Sequence, residues 1–324
     1  MKLTYEQIIS CANGIVRTEQ NELGVELHRF SREQESFFYK THPLFCKESF
    51  FNGYFGKNCR STAGVTLNFE SNAKELIIEY GRMDYTNNLT EQFVDLYVNN
   101  SYVKTFSTNE KIVYQSQGEN QLYTVYLPTY SFPIISNMEL KDATIFNPIK
   151  KEIDILFMGD SITQGASKEV KPSNTYVMRV ARGLNIGILN QGNSGFVYDE
   201  GAIEKVCAPK YIITAYGIND FYRKTDEQLE EYTIAFLKKV RKTYPNSKII
   251  SILPLWSLCG EEATVFVAKR EMLNKIYKQY SDYIINGQNL IEHKREVLAD
   301  AVHPNEEGFK QYGDNLLKEL KKII

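Results

Sequence analysis

The feature that most constrains this chain is a change of hydrophobic period near residue 150. On the amino-terminal side the pattern has a period of two, as half-buried strands require: Val65, Leu67 and Phe69 flank Thr66 and Asn68, and Tyr123, Val125 and Leu127 flank Thr124 and Tyr126. Phe93 to Val98 and Tyr102 to Phe106, separated by Asn99-Asn100-Ser101, predict a hairpin that turns at the asparagines. From Ile153 onward, short apolar runs alternate with helical stretches, which predicts a parallel sheet covered by helices. The strand runs are 153–158, 186–189, 211–215 and 248–253, with a weaker one near Ile284. Between Asp226 and Tyr244, apolar residues recur at three and four, and Thr225 with Gln228 forms a capping box. Further helices are expected around 265–280 and 309–323, and a short one from Thr4, capped with Gln7, through Ala12. The expected fold is an α/β parallel-sheet domain over 152–324, preceded by a smaller β-sandwich or jelly-roll-like domain over 1–147, with a hinge at Asn147-Pro148.

Composition removes several classes of function. A net charge of −2 provides no field for holding a polyanion, which argues against nucleic acid as partner. No apolar run approaches the ~18 residues of a spanning helix. The start, Met1-Lys2-Leu3-Thr4-Tyr5-Glu6-Gln7, is too polar for a secretory segment, so a cytoplasmic location is expected, with no membrane partner. Five scattered cysteines (Cys11, Cys46, Cys59, Cys207, Cys259) contain no C-x-x-C pair and fit reduced thiols better than disulfides or zinc. There is no phosphate loop, H-E-x-x-H or dinucleotide fingerprint, so no metal or cofactor is expected. Most of the 22 Tyr and 18 Phe are expected in cores, including Phe37-Phe38-Tyr39 and Phe50-Phe51 in the strand-rich half.

In an open parallel sheet the ligand crevice lies beyond the carboxyl ends of the strands. Three successive runs end there in small and polar residues: Gly159-Asp160-Ser161-Ile162-Thr163, Asn190-Gln191-Gly192-Asn193-Ser194-Gly195, and Gly217-Ile218-Asn219-Asp220. A serine nucleophile needs a base, usually a histidine held by a carboxylate. Of the four histidines, His28 and His42 lie in the strand-rich half, and His293 sits among charges. His303 stands in Asp300-Ala301-Val302-His303-Pro304-Asn305, where the spacing can set a carboxylate beside Nδ1 and leave Nε2 outward, and Asn305 can cap the last helix. Trp256 follows the run ending at Leu253 and lies at the same sheet edge; it either stacks a sugar ring or anchors its loop.

Together these residues resemble the SGNH (GDSL) hydrolase superfamily over roughly 152–324, with its four blocks in order: Gly159-Asp160-Ser161-Ile162-Thr163, Gly195, Gly217-x-Asn219-Asp220 and Asp300-x-x-His303. The resemblance implies a flavodoxin-like hydrolase domain in which Ser161 is the nucleophile, His303 the general base and acid, and Asp300 its orienting partner. The oxyanion hole would comprise the N–H groups of Ser161 and Gly195 and the side-chain amide of Asn219, with Gly192 as the competing glycine. The G-x-S-x-G elbow of the α/β-hydrolases is absent from the sequence.

The strand-rich domain ahead of this one resembles the layout of two-domain bacterial carbohydrate-esterase-like members, and Asp95-Leu96-Tyr97 resembles a motif in their first modules. This implies an acetylated sugar or oligosaccharide as substrate, hydrolysed through an acyl-enzyme. The alternatives are a lysophospholipase or thioesterase, acyl transfer to a sugar hydroxyl in place of water, and a non-catalytic carbohydrate-binding protein. The sequence leaves the oligomeric state open.

Overall fold

In the computed structural model the described residues are 1–41, 53–86, 91–166, 170–260 and 264–324. His42, Cys46 and Phe50-Phe51 therefore lie outside them. The amino-terminal half begins with α1 (Tyr5–Cys11), where Thr4 and Gln7 form the capping box. Two antiparallel sheets follow. One has the order β1 (Ala12–Asn13), β4 (Thr66–Ser71), β9 (Gln121–Tyr126), β6 (Phe93–Val98), β7 (Ser101–Ser107), with β11 (Phe146–Pro148) also on β4. The other runs β2 (Arg17–Asn21), β3 (Gly24–His28), β10 (Ser131–Lys141), β5 (Glu75–Tyr85), β8 (Ile112–Gln115). Leu67, Phe69, Leu96 and Val125 of the first sheet and Val25, Leu27, Ile78 and Met138 of the second share one buried core. The hairpin turns at Asn99 and Asn100, with φ of 50° and 63°, the left-handed values that asparagine tolerates.

The carboxy-terminal half is a five-stranded parallel sheet in the order β13 (Gly187–Gly192), β12 (Ile153–Gly159), β14 (Tyr211–Ala215), β15 (Lys248–Ile252), β16 (Tyr283–Ile285). Its central strands are covered on both faces, so apolar residues run on without alternation. Ile155 and Phe157 point into one core with α5 (Tyr176–Leu184) and α9 (Glu306–Leu320). Leu156 and Met158 point into another with α7 (Asp226–Thr243) and α8 (Thr264–Tyr280). The Thr225–Gln228 capping box and the Asn305 cap both form as the sequence predicts.

Two findings depart from the sequence expectations. The segment after β3 forms α2 (Arg32–Lys40) and α3 (Tyr54–Cys59), and Phe30, Phe38 and Phe55 pack against Leu156, Leu189 and Phe196. Phe38 is buried, but in the core under the parallel sheet and not between the two antiparallel sheets. Asn147-Pro148 is no hinge, because both residues pair with β4 in β11. Proline is tolerated on such an edge strand. Beyond it, the Ile149 N–H donates to the Asn68 carbonyl, Asn13 Nδ2 donates to the Ile149 carbonyl, and the Lys151 N–H donates to Asn13 Oδ1. The connection is tied down on both sides.

Arg29, immediately after β3, is fully buried between the halves. Nε donates to the Ser61 carbonyl, Nη1 to the carbonyls of Asn190 and Gly192, and Nη2 to the Asn58 carbonyl and Ser61 Oγ. All five guanidinium donors are used. Burial brings its pKa down to about 10, which still leaves a cation at neutral pH. Arg29→Met would leave five acceptors to be rehydrated or unpaired, at about 1–3 kcal/mol for each that stays buried. We expect a loss of at least about 3 kcal/mol in urea unfolding, and little rescue by Arg29→Lys, whose ammonium has three donors. A loss below about 0.5 kcal/mol for Arg29→Met would contradict this role.

Candidate active site

The sheet order makes β12 and β14 the neighbours at which chain direction across the sheet reverses, and ligands bind beyond the carboxyl ends of such strands. Ser161 follows β12 and Asn219 follows β14. At the end of β12 the chain doubles back into a single turn, α4 (Ser161–Gln164). Gly159 permits this fold-back, since a Cβ there would lie 2.0 Å from Thr163 Oγ1. Asp160 caps the turn, its Oδ1 accepting from the Ile162 N–H at 3.0 Å.

Ser161 is almost buried, and its Oγ lies 2.9 Å from His303 Nε2. His303 Nδ1 is 2.7 Å from Asp300 Oδ2, while Asp300 Oδ1 accepts the N–H groups of Val302 and His303, both at 2.7 Å. These bonds hold the Asp300 carboxyl well below the usual range, the His303 hydrogen bond contributing most. An ionised Asp300 only accepts, so the proton sits on Nδ1 and the Nε2 lone pair faces the serine hydroxyl. The turn is held by the Ala299 N–H on the His303 carbonyl and the Leu258 N–H on the Ala301 carbonyl. Such an arrangement can move a proton from Oγ to Nε2 and stabilise the resulting imidazolium.

Gly195 sits at a turn with φ of +75°, a value that favours glycine. The Ser194 N–H donates to Gln164 Oε1, Asn219 Nδ2 donates to the Phe196 carbonyl at 3.1 Å, and Arg223 Nη1 donates to the Gly195 carbonyl. Among the described residues, the N–H groups of Ser161 and Gly195 meet no acceptor. Asn219 has a second amide hydrogen beyond the one given to Phe196. Gly192 differs: its N–H is bonded to Asn190 Oδ1, and a Cβ there would lie 2.3 Å from the Gln164 nitrogen, so it serves close packing.

Sequence reasoning missed the groups that brace this rim. Arg223 was readable as the residue four after Asn219 on one helix. Tyr54, whose hydroxyl lies 3.3 Å from Ser194 Oγ, and Phe55, whose carbonyl accepts from Asn193 Nδ2, come from the amino-terminal half and carry no local signal. The structure corrects Trp256. Its indole is 3% exposed and stacks on His293, with ring centroids 5.2 Å apart, so it anchors its loop and presents no open face to a sugar. His293 is a surface residue that covers it. His28 is buried and, through burial and then the charges of Arg17, Arg60 and Arg32, pushed down to about 3. With Glu19 and Glu26 it makes the one group among the described residues that brings three metal-ligand atoms within 4.8 Å. Arg17 and Arg32 pair with Glu19, and Arg60 with Glu26, which makes it a poor cation site.

Residues 157–311 match the GDSL-like lipase/acylhydrolase family. That part of the chain is a GDSL-like lipase/acylhydrolase domain, and the protein is an SGNH-type ester hydrolase. No curated protein matches the chain significantly. Among solved structures, the salicylyl-acyltransferase SsfX3 from a tetracycline biosynthetic pathway superposes with a TM-score of 0.77 at 13% identity, covering 96% of this chain and 94% of that one. A family two carbohydrate esterase from Clostridium thermocellum, in complex with cellohexaose, gives 0.61 at 17% identity, covering 81% and 93%. The acetyl xylan esterase Est2A from the rumen bacterium Butyrivibrio proteoclasticus gives 0.58 at 17%, covering 80% and 90%. At these identities the likeness establishes the fold.

The buried Asp160 generates a prediction. Burial pushes its carboxyl up to about 7 from an ordinary 3.8; Asp220 adds to the rise, while the Ile162 N–H, His303 and Arg223 oppose it. The folded state therefore keeps a proton that the unfolded chain releases, and this contribution to stability is full below pH ~4 and lost as pH rises through ~7. Asp160→Asn keeps the acceptor for Ile162 and removes the titration. Urea unfolding from pH 4.5 to 8 should show the wild type losing stability relative to the variant; parallel profiles would contradict the assignment.

Proposed function

We propose that the protein is a serine esterase that removes acetyl groups from the hydroxyls of sugars or oligosaccharides through an acyl-enzyme on Ser161. The observation that carries this reading is the unbroken hydrogen-bonded relay from Asp300 through His303 to Ser161 at the carboxyl edge of the sheet. His303 Nε2 takes the hydroxyl proton as Oγ attacks the ester carbonyl carbon. The carbonyl oxygen becomes an oxyanion, received by the N–H groups of Ser161 and Gly195 and by Asn219. Each such donor contributes on the order of 3–4 kcal/mol in comparable sites. On collapse the bond to the sugar oxygen breaks and His303 returns the proton to that oxygen. Water then gives a proton to His303 and attacks the acetyl-serine, releasing acetate and restoring Oγ–H.

The preference for acetyl groups and sugars is supported by the likeness to carbohydrate esterases and by the strand-rich half, which in this reading is a jelly-roll-like domain of residues 1–147 ahead of a catalytic domain of 152–324. Tyr54 and Phe55 give that half a direct part in bracing the site. A second reading, acyl transfer to a hydroxyl in place of water, is favoured by the likeness to an acyltransferase over nearly the whole chain. Product analysis with excess alcohol separates the two.

Two sets of kinetics test the proposal. Ser161→Ala should abolish turnover and His303→Ala should cost about 10⁴-fold. Asp300→Asn should cost less, because the carboxylate side chain is 58% exposed and its charge is screened by solvent. If His303→Ala keeps most activity while His293→Ala does not, the base is misassigned. Among p-nitrophenyl esters, acetate should be turned over faster than butyrate and octanoate, with a chelator present. A preference for octanoate would point to a lipase-like enzyme, and loss of activity with the chelator would remove the metal-free mechanism.

A further inference from the structure

Helix α6 (Ile218–Arg223) has two distinct faces. Ile218, Asp220 and Phe221 are buried, Asp220 against the Lys224 ammonium and the Tyr198 N–H. Asn219, Tyr222 and Arg223, spaced three and four apart, share the opposite face. Two of these three grip the loop that carries Gly195: Asn219 through the Phe196 carbonyl and Arg223 through the Gly195 carbonyl. The third, Tyr222, therefore stands one helical turn from the proposed oxyanion donor, about 5–6 Å away between Cβ atoms.

Tyr222 is 54% exposed, the most exposed aromatic among the described residues. Its ring is not free to swing, because it meets Phe266 of α8 edge to face, with centroids 4.8 Å apart and planes at 80°. Phe266 is itself nearly buried and packs on Phe221 at 5.3 Å, so the pair is braced from inside. An exposed aromatic held in one orientation loses little entropy on binding a flat partner. The other strongly exposed tyrosines lack this setting: Tyr102 lies on β7 in the amino-terminal half, and Tyr232 is occupied by Lys224, 4.1 Å from its centroid.

We infer that Tyr222, braced by Phe266, is the platform on which the ring of the acetylated sugar stacks during deacetylation. This rests on the esterase reading above and names the alcohol-side subsite of that same centre. A pyranose presents an axial C–H face to an aromatic ring while its equatorial hydroxyls, one of them esterified, project sideways. With the ester carbonyl oxygen at Asn219 and Gly195, the sugar ring one bond beyond the ester oxygen comes within reach of the residue one turn along the same helix.

The test uses the full-length protein with two acetates, a methyl mono-O-acetyl-xylopyranoside and the acyclic glycerol triacetate. Tyr222→Ala should lower kcat/KM for the xyloside about tenfold relative to glycerol triacetate, the loss falling on KM, and Tyr222→Trp should restore it. Equal losses on both substrates, a loss confined to kcat, or no change would overturn the platform. Wild-type turnover of glycerol triacetate without saturable use of the xyloside would overturn the platform alone. Turnover of neither acetate would overturn the acetyl-esterase reading and the platform with it.

Discussion

The guanidinium of Arg29 is the interaction on which the rest of the molecule depends. It ties the end of β3 to the end of β13, two segments 161 residues apart in the Asn190 contact. Gly192 begins the loop that carries Gly195, while Asn58 lies in α3 and Ser61 just beyond it, the helix that supplies Tyr54 and Phe55 to the rim. A cation buried with five neutral acceptors and no carboxylate costs desolvation that only complete hydrogen bonding offsets. That requirement fixes several carbonyls at once, and so couples the antiparallel sheets to the geometry of the site. The shared core of Phe38, Phe55 and Phe196 works in the same direction.

Within the site, two carboxyls are set to opposite states by their surroundings. Asp300 is half in solvent, accepts three hydrogen bonds and stays ionised beside His303. Asp160, wholly buried with one backbone N–H on Oδ1, is pushed towards the neutral form and serves to start the turn that presents Ser161. The same side chain thus holds the His303 imidazole at one position and shapes the backbone that presents Ser161 at the other.

Much of this was legible in the sequence because it is local. Capping at Thr4, Thr225 and Asn305 depends on spacings of three, and the parallel strands announce themselves as apolar runs ending in small polar residues. Asp300-x-x-His303 could be read because a tight turn leaves few ways to place a carboxylate three residues from an imidazole. What was hidden is tertiary. Arg29 looks like any arginine after a strand, and Phe37-Phe38 carries no mark of the core it joins. Trp256 sits in the right loop, but whether its ring faces substrate or His293 is decided by packing from residues 37 positions away. The junction at Asn147-Pro148 resembles a hinge in sequence because the partner that makes it a strand, β4, lies far upstream.

The most direct test of the central claim is to trap the intermediate. Acid quenching during turnover of an acetyl ester, followed by peptide mass mapping, should find one acetyl group on the peptide containing Ser161, and none when Ser161 is alanine. An acetyl group on another residue, or turnover with no covalent adduct under conditions where deacylation is slowed, would contradict it.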